Sequence, residues 1–592
     1  MRQLAACLIL LIGYATSATL AGDIIVDQNH PQADDRNAGT AAAPLATISA
    51  AALRTLPGDR VVIKAGTYHE TVSVHTSGTK SRPIQYIADT PGKTIIDGAL
   101  DRTAFTRVEG DEPIYRTLWP HLFIIDHRDG IAIQHHPESL PVHGRADLVL
   151  CDGVPLLQVA SLDALRETYR KTNGKAQPAV PNLGKFGGMT WIDSGKGSAY
   201  FWLNDGTDPQ KHKVQIADKQ ELFGCDPGEL PGGIQNIHVK GLIFRHSSNF
   251  AQRPAVWLYG KDNLLEDCVI ETVAGQGVSV SGTMRRCVIR NCGAIGGSAT
   301  GEGFVNESCL WEDNCWKPYD RGWEAGGTKI ALASNGIFRD CVFRRNGGPG
   351  LWLDIDTRDV QINNCVFADN EQSGLFVEIS QNVQVTRSLF QGNGLGNIGE
   401  KRDSDWGVAG ITVAESKNCS IRNCTILNNR DGIALREQGP RTINTQQKGE
   451  VSYFNLGHQI TGNFIANNRG FQVAFWWDNA FFGPHPSEAK LYANDDEWDK
   501  HIENMRDLVY DPAKQKIDVH GNLIAAGPTQ KLFLLGAPWR RESREVEMLA
   551  GFGDNEIQKN ATSFDPPDDV GWIDAPTDLQ AYIKQLRLPA TP

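Results

Sequence analysis

Three acidic residues occur in two segments of similar sequence, 351–356 (LWLDID) and 375–380 (LFVEIS). Their alternation of apolar and polar residues predicts β-strands, in which successive side chains point to opposite faces. When the segments are aligned on the glycine that precedes each of them, Glu378 lies beside Asp354. Continued alternation places Asp356 on the same outward face. The sequence therefore predicts three carboxyl groups on neighbouring strands.

Paired carboxyl groups are the reactive groups of glycoside hydrolysis, in which one donates a proton and the other is nucleophile or base. Side chains on adjacent strands lie about 5 Å apart, and diagonal ones about 7–8 Å. The first spacing suits retention of anomeric configuration and the second suits inversion, so both stay open. Crowded like charges are expected to raise one pKa and supply a general acid. Asp354 and Glu378 are the catalytic candidates, with Asp356 assisting.

Aromatic side chains flank these acids, as expected of a site that binds sugars. Trp352 and Phe376 occupy one outward position in the two aligned segments. The preceding repeat adds Trp323, Glu324 and Lys329 as further candidates for substrate binding. For any single acid among them the ordinary alternative is a solvated surface position, because charged residues are mostly exposed.

The strands that carry these residues belong to a repeat with a period of about 22 residues. A short phrase, usually Cys followed by apolar residues, recurs, and an Asn and then a Gly follow many copies. Stacked turns favour Asn because its side-chain amide hydrogen-bonds along the stack. We predict an all-β, right-handed parallel β-helix, in which each coil adds one strand to each parallel sheet. The cysteines at this repeat position are Cys268, Cys287, Cys309, Cys341, Cys365 and Cys424.

Because these cysteines share one repeat position, we expect them to stack inside the solenoid as small apolar residues. Disulfides between neighbouring coils are chemically possible in an exported protein, but the spacing specifies no pair. The column offers no tetrahedral group of ligands, so no metal is expected there. Glu415 aligns with the inward Ile379, and it would reach the acidic cluster only if a β-bulge re-aims it.

Segments that do not repeat divide the chain. At the start, Arg2 precedes a short apolar run and then small residues, which is typical of a cleaved export signal. The expected parts are a signal at 1–21, N-terminal coils and cap at 22–110, an inserted mostly-β subdomain at 111–232 with a helix at 161–171, central coils at 233–483, a helical insertion at 484–517, and a last coil with a C-terminal cap at 518–592.

The bulk properties narrow the partners. The 592 residues carry a formal net charge of −12, which disfavours nucleic acid as a partner. The apolar run near the start is too short for a membrane anchor, and no later stretch approaches the ~20 apolar residues that one needs. We expect a secreted or periplasmic protein that acts on a polysaccharide or oligosaccharide and has no membrane contact after signal cleavage. Its oligomeric state is not predicted.

Three stretches carry a resemblance to a known group: 316–326 (WKPYDRGWEAG), 348–356 (GPGLWLDID) and 374–380 (GLFVEIS). The chain resembles exported bacterial right-handed parallel β-helix proteins of the pectate-lyase-like superfamily, and the nearest enzyme family is glycoside hydrolase family 141. This resemblance implies catalytic carboxylates in the outward cluster, namely Asp354, Asp356, Glu378 and Glu324. The Gly-His-Gly and Arg-Ile-Lys motifs typical of polygalacturonases do not occur.

Several functions stay open at this point. The first is a glycoside hydrolase. The second is a polysaccharide lyase, whose base would be Lys329, Arg358 or Arg436 and whose acids would bind Ca²⁺, since Ca²⁺ prefers oxygen ligands. The third is a non-catalytic carbohydrate-binding or surface protein that uses Trp352, and an isomerase such as a uronate epimerase is a further alternative. No cofactor is expected, apart from Ca²⁺ in the lyase.

Overall fold

A computed structural model describes most of the chain. The described residues are 22–119, 145–176, 186–225, 228, 230–317, 319, 321–396, 407–437, 441–445, 449–477, 512–536, 544–546, 552–564 and 579–589. The expected export signal lies outside these ranges, as do residues 484–511 of the expected helical insertion. Residues 512–516 of that insertion form turns.

The repeat folds into coils of three short parallel strands. One coil comprises Leu351–Asp354, Arg358–Asn363 and Val366–Ala368. The next comprises Leu375–Glu378, Gln381–Thr386 and Leu389–Gln391, and each strand pairs in register with its counterpart. The chain is therefore a right-handed parallel β-helix, as the repeat predicts.

Two of the three strand columns join into one 24-stranded sheet, and the third forms a 13-stranded sheet. The larger sheet contains Asp23–Val26, Arg60–Ile63, Val72–Ser73, Ile84–Ala88, Phe223–Cys225, Ile237–Lys240, Val256–Glu266, Val278–Arg285, Ile295–Glu302, Val305–Glu307, Gly326–Ser334, Ile337–Arg339, Leu351–Asp354, Arg358–Asn363, Leu375–Glu378, Gln381–Thr386, Ala409–Ala414, Ser420–Arg422, Asp431–Glu437, Gln459–Thr461, Phe471–Trp477, Asp518–His520, Lys531–Leu535 and Arg544–Val546. The smaller contains Gly66–Tyr68, Thr94–Asp97, Ile243–Arg245, Val269–Val273, Val288–Cys292, Leu310–Glu312, Val342–Arg344, Val366–Ala368, Leu389–Gln391, Thr425–Leu427, Phe464–Ala466, Leu523–Ala526 and Glu556–Lys559.

A ladder of buried asparagines holds the equivalent turns of successive coils directly above one another. The side-chain amide of Asn346 donates to Asn370 Oδ1 at 2.9 Å, and that of Asn370 donates to Asn393 Oδ1 at 2.8 Å. Each Oδ1 also accepts a backbone N–H of the preceding coil, so these buried polar groups are paired. The same pattern joins Asn314, Asn346, Asn370, Asn393, Asn429 and Asn468.

The glycine before each strand is required by this stacking. A Cβ at Gly350 would lie 2.6 Å from Gly374 O and 2.9 Å from Asn370 Nδ2. Both distances are shorter than van der Waals contact, so any larger residue would push the coils apart. This close approach explains the Gly that follows the Asn in the repeat.

The repeated cysteines face the interior. Cys287, Cys309, Cys341 and Cys365 are at most 1% exposed, and each thiol donates to the carbonyl two residues earlier at 3.4 Å. Every described cysteine is a free thiol. The column therefore packs the core. Burial raises the pKa of Cys424 to about 12, which keeps its thiol protonated.

We predict that reductant leaves the melting temperature unchanged, because no described cysteine forms a disulfide. Thiol titration with a coloured disulfide reagent should give little reaction in the native protein and reaction at all eleven of these positions after denaturation. A lower melting temperature in reductant, or fewer thiols after denaturation without reductant, would contradict this expectation.

The inserted subdomain begins earlier and ends earlier than the expected bounds of 111–232. Ala99–Arg102 and Thr106–Arg107 already pair with its strands, whereas Phe223–Cys225 pairs within the solenoid. Its core consists of a four-stranded antiparallel sheet (Val154–Pro155, Val149–Cys151, Val214–Ala217, Ala99–Arg102) and a five-stranded sheet (Leu157–Gln158, Gly188–Asp193, Ser198–Leu203, Tyr115–Leu118, Thr106–Arg107). The second sheet is antiparallel except where Leu157–Gln158 pairs with Gly188–Asp193. The buried Lys317 ammonium joins the subdomain to the solenoid by donating to the carbonyls of Arg145 and Asp147.

Helices are few. Ile48–Ala52 is capped by Thr47, whose side chain accepts from Ala50 N, and Leu162–Thr172 is capped by Ser161 in the same way. Among the described residues, a further α-helix is Leu579–Gln585, and 3₁₀ turns occur at Ser194–Lys196, Asn204–Gly206 and Pro209–Lys211. Within the described ranges, no helix has the length and apolar character that a membrane crossing demands.

Candidate functional site

The predicted register between the two acidic strands is correct. Trp352 pairs with Phe376 and Leu353 pairs with Val377. Asp354 and Glu378, the next residues of the two strands, therefore occupy equivalent positions on adjacent coils. Both carboxyl groups are largely buried, with Asp354 5% and Glu378 8% exposed. Adjacent parallel strands are about 4.8 Å apart, which brings the two acids into direct electrostatic contact.

Asp354 lies in an environment that favours its protonated form. Its Oδ1 accepts the Ile355 N–H at 2.8 Å, and its Oδ2 lies 3.1 Å from the Lys329 ammonium. Burial and the neighbouring Glu378 charge nevertheless raise the pKa of Asp354 to about 6, and Lys329 offsets only part of this rise. A carboxyl group with this pKa retains a proton in mildly acidic solution and can act as a general acid.

Glu378 lies in the opposite environment. Burial by itself would raise its pKa, but the Arg441 and Arg436 guanidinium groups hold the pKa below its ordinary value. Arg441 forms a short ion pair with Glu378 Oε1, and Arg436 Nη2 is 3.6 Å from the same oxygen. Glu378 is therefore ionised where Asp354 is still protonated, so the two in-register acids differ in protonation state.

The two aromatic rings form a continuous surface beside these acids. The centroids of Trp352 and Phe376 are 5.1 Å apart, and the rings are tilted by 30°. The Lys329 ammonium lies 3.8 Å from the Trp352 centroid and the Arg436 guanidinium 5.0 Å from the Phe376 centroid. These cation–π contacts fix both rings and both cations in place.

A pocket of about 170 Å³ opens over this surface. Its polar wall includes Glu378, Arg436, Arg321 and Gln372, and its remaining lining residues are Gly322, Pro349, Trp352, Ser373, Phe376, Gly407, Val408 and Thr412. The volume is below the range of about 300–1,000 Å³ that is typical of drug-sized ligands. Aromatic and hydrogen-bonding groups in a space of this size suit a single sugar ring.

The expectation that Asp356 shares the outward face with Asp354 is wrong. The strand ends at Asp354, and Ile355 and Asp356 adopt left-handed φ angles of 36° and 53°. Strand alternation therefore stops one residue after Asp354, and Ile355 is half-buried instead of lying in the core. Asp356 turns to the corner of the coil, where Arg358 Nη1 donates to it at 2.6 Å and the Tyr453 hydroxyl donates to its other oxygen.

Trp323 and Glu324 lie at the margin of the site. Glu324 Oε1 accepts a hydrogen bond from Gln252 Nε2 at 2.9 Å. This contact joins Glu324 to an earlier part of the chain and not to Asp354 or Glu378. The Trp323 ring packs against the buried cluster around Tyr319, and its backbone carbonyl accepts from the Lys329 ammonium at 2.9 Å. Trp323 thus holds Lys329, while the catalytic candidates that the structure brings together are Asp354 and Glu378.

Sequence reasoning missed Arg441 and placed Glu415 inward. Arg441 begins an antiparallel hairpin, Arg441–Thr445 with Gly449–Tyr453, that has no counterpart among the described residues of the other coils. Glu415 is fully buried, and its Oε2 lies 3.6 Å from Arg441 Nη1. The φ of Glu415, 38°, is close to those of Ile355 and Ile379 at the ends of the equivalent strands. A left-handed backbone conformation at the corner of the coil, and not a β-bulge, therefore turns the Glu415 side chain toward Arg441.

Cys151, Asp152 and His212 are the described residues whose ligand atoms could hold a metal ion, since these atoms all lie within 4.8 Å of one another. They belong to the inserted subdomain, where His212 Nδ1 is 2.7 Å from Asp152 Oδ2. Within the described ranges, the acids beside Trp352 form no comparable group. Their nearest charged partners are the cations Lys329, Arg436 and Arg441.

Comparison with known proteins agrees with this architecture. Residues 232–402 match the family model of the right handed beta helix region. A solved complex of XylC with xylose has 15% sequence identity and a TM-score of 0.60 over 92% of this chain and 86% of that one. A structure described as a glycoside hydrolase has 10% identity and a TM-score of 0.44 over 96% of this chain and 99% of its own. At these identities the likeness to XylC shows the fold alone.

A protein of Bacillus subtilis (strain 168), YwoF, is 36% identical over 91 residues. The match covers 13% of this chain and 19% of that protein. This local similarity spans a small part of either protein.

Proposed function

We propose that the protein is an exported glycoside hydrolase in which Asp354 is the general acid and Glu378 is the nucleophile or general base. The observation that carries this proposal is an in-register pair of buried carboxyl groups with unequal charged neighbours: Lys329 lies beside Asp354, whereas both Arg441 and Arg436 lie beside Glu378. These neighbours displace the two pKa values in opposite directions. Pairs of titratable groups whose environments separate their pKa values mark acid and base assignments.

Each side chain has a defined part in the proposed reaction. A sugar ring lies in the pocket that Trp352 and Phe376 line. Asp354 donates its proton to the oxygen of the departing sugar. Glu378 either attacks the anomeric carbon or removes a proton from the attacking water. The Lys329 ammonium lies 3.1 Å from Asp354 Oδ2 and positions that carboxyl group by a hydrogen bond, and Arg436 positions the ionised Glu378. The substrate class is a polysaccharide or oligosaccharide, one sugar of which occupies the pocket.

The site favours hydrolysis over the lyase alternative. A lyase of the kind considered above requires an available basic side chain and acids grouped around Ca²⁺. Lys329, Arg358 and Arg436 instead lie against Asp354, Asp356 and Glu378 respectively. Each of these three acids thus has a cation as its close charged partner, an arrangement suited to setting protonation states.

The test is an assay for new reducing ends across neutral and acidic polysaccharides and aryl glycosides, with and without EDTA. Absorbance of unsaturated uronates is followed at the same time. Hydrolysis gives reducing ends without absorbance and is insensitive to EDTA. Absorbance that EDTA abolishes would replace the proposal with a calcium-dependent lyase. Glycan binding that Trp352→Ala weakens, without products, would replace it with a carbohydrate-binding function.

We predict a bell-shaped dependence of kcat/KM on pH with its maximum in mildly acidic solution. The acid limb reports the lowered pKa of Glu378, which must be ionised, and the basic limb reports Asp354, which loses its proton near pH 6. Lys329→Met should move both limbs to higher pH, because the ammonium lowers the pKa of both carboxyl groups. A variant profile with unmoved limbs would contradict the assigned role of Lys329.

A further inference from the structure

The hairpin of Arg441–Thr445 and Gly449–Tyr453 lies outside the three-strand repeat of the coils. It enters the chain between the strands Asp431–Glu437 and Gln459–Thr461, and its two strands pair only with each other among the described strands. Arg441 and Tyr453 are directly paired at its base. Whatever fixes one of these two residues therefore fixes the other.

Both residues at the base of the hairpin contact acids at the ends of coil strands. The Arg441 guanidinium forms its ion pair with Glu378 and lies 3.6 Å from Glu415. Tyr453 is fully buried, and its hydroxyl donates to Asp356. These contacts reach across three successive coils.

Lys417, which lies on the same coil as Glu415, forms a further contact with the hairpin. The Lys417 ammonium donates to the Ser452 carbonyl at 2.6 Å and lies 4.9 Å from the Phe454 ring centroid. The base of the hairpin is thus attached through its backbone as well as through Tyr453. Although the hairpin pairs with none of the described strands of the solenoid, side chains hold it against the acidic corner at each of these points.

The charges that face Glu378 come from several elements. Lys329 approaches from the strand Gly326–Ser334, Asp354 from the preceding coil, and Arg436 from the strand Asp431–Glu437. Arg441 is the group that approaches from outside the solenoid, and it lies between Glu378 and the buried Glu415. Removal of Arg441 leaves two acids near one another with one guanidinium fewer.

We propose that this hairpin is a strap that positions the catalytic carboxylate, with Arg441 holding Glu378 and the contacts of Tyr453 holding Arg441. The inference rests on the proposed hydrolase function and adds Arg441, Tyr453 and Asp356 to it as positioning residues. Asp356 thereby acquires a role other than catalysis, because it anchors the strap at the corner of the coil.

The strap predicts a specific response to Arg441→Gln. The guanidinium favours the ionised form of Glu378, so its loss raises the pKa of Glu378 and moves the acid limb of the kcat/KM profile to higher pH. We expect kcat to fall by about 10²-fold, as misplacement of a reacting group commonly costs. Arg441→Lys keeps the positive charge but not the geometry of the guanidinium. Compared with Arg441→Gln, it should return the acid limb close to its wild-type pH while kcat stays reduced.

Tyr453→Phe tests the anchor separately from the charge. It removes only the hydroxyl that donates to Asp356, and we expect a smaller displacement of the acid limb in the same direction. Arg422→Gln is the matched control, because Arg422 is an exposed arginine whose side chain donates to Gln459 on the next coil. Far-ultraviolet circular dichroism and the melting temperature establish that each variant is folded.

Infrared titration of the Glu378 carboxyl, identified by subtracting the Glu378→Gln spectrum, gives a second readout that needs no substrate. The inference holds if the Glu378 pKa rises in Arg441→Gln and stays unchanged in Arg422→Gln. It is overturned if Arg441→Gln lowers the rate or the melting temperature while the Glu378 pKa and the acid limb stay in place. Activity that survives Glu378→Gln would instead refute the proposed function, so the two failures are distinguishable.

Discussion

Replacement of Glu378 by Gln is expected to lower kcat by about 10³-fold, within the 10²–10⁴-fold range of general acid–base groups. The amide is close in size to the carboxyl group but cannot attack the anomeric carbon or accept a proton from water. The pocket and the ring surface of Trp352 and Phe376 stay in place, so KM should change much less than kcat.

Two controls accompany Glu378→Gln. Asp359→Asn alters an exposed acid of the preceding coil, whose side chain accepts from Asn382, and should leave kcat within twofold of the wild type, about 0.4 kcal/mol. The melting temperature separates lost chemistry from lost structure, because Arg436 and Arg441 lose their shared partner in Glu378→Gln. Activity of Glu378→Gln near that of Asp359→Asn would exclude Glu378 as a reacting group.

Replacement of Asp354 by Asn is expected to give a loss that depends on the leaving group. Substrates whose departing sugar needs a proton should lose about 10²–10⁴-fold in kcat/KM, since the amide cannot donate one. Aryl glycosides with acidic phenols as leaving groups depart without protonation and should lose far less. The basic limb of the pH profile should also disappear, because it reports the Asp354 proton.

The control for Asp354→Asn is Asp356→Asn, two residues later on the same coil. Asp356 contacts Arg358 and Tyr453. Its replacement should therefore lower kcat/KM by the same factor for every leaving group and leave the basic limb of the pH profile in place. Kinetics with equal losses for activated and unactivated leaving groups in Asp354→Asn would contradict the assignment of Asp354 as the acid. That result would leave Asp354 a role in binding alone.

Much of the fold follows from the spacing of a few residue types. The recurring phrase at Cys341 and Cys365 predicts the third strand of each coil, and the Asn five residues later predicts the ladder that the structure contains. Periodicity suffices here because stacking forces equivalent residues of successive coils into one column. The alignment of Asp354 with Glu378 follows from the same constraint.

The corner of the coil could not be predicted in the same way. Alternation carries information only while the backbone stays extended, and Ile355 and Ile379 adopt left-handed φ angles although β-branched residues rarely do so. Arg441 was also beyond prediction, because a hairpin without repeats has no register against the coils. Its contact with Glu378 depends on the path of the chain and not on any local pattern.

The most direct measurement of the central claim is infrared titration of the Asp354 carboxyl, taken as the difference between wild type and Asp354→Asn. Asp431, whose pKa burial also raises to about 6, titrates in both proteins and cancels in the difference. The account predicts a protonated-carboxyl band that disappears near pH 6 in the wild type and, because the Glu378 charge is gone, at lower pH in Glu378→Gln. A band that disappears near pH 4, or one that Glu378→Gln leaves unmoved, would contradict the pairing of Asp354 as acid with an ionised Glu378.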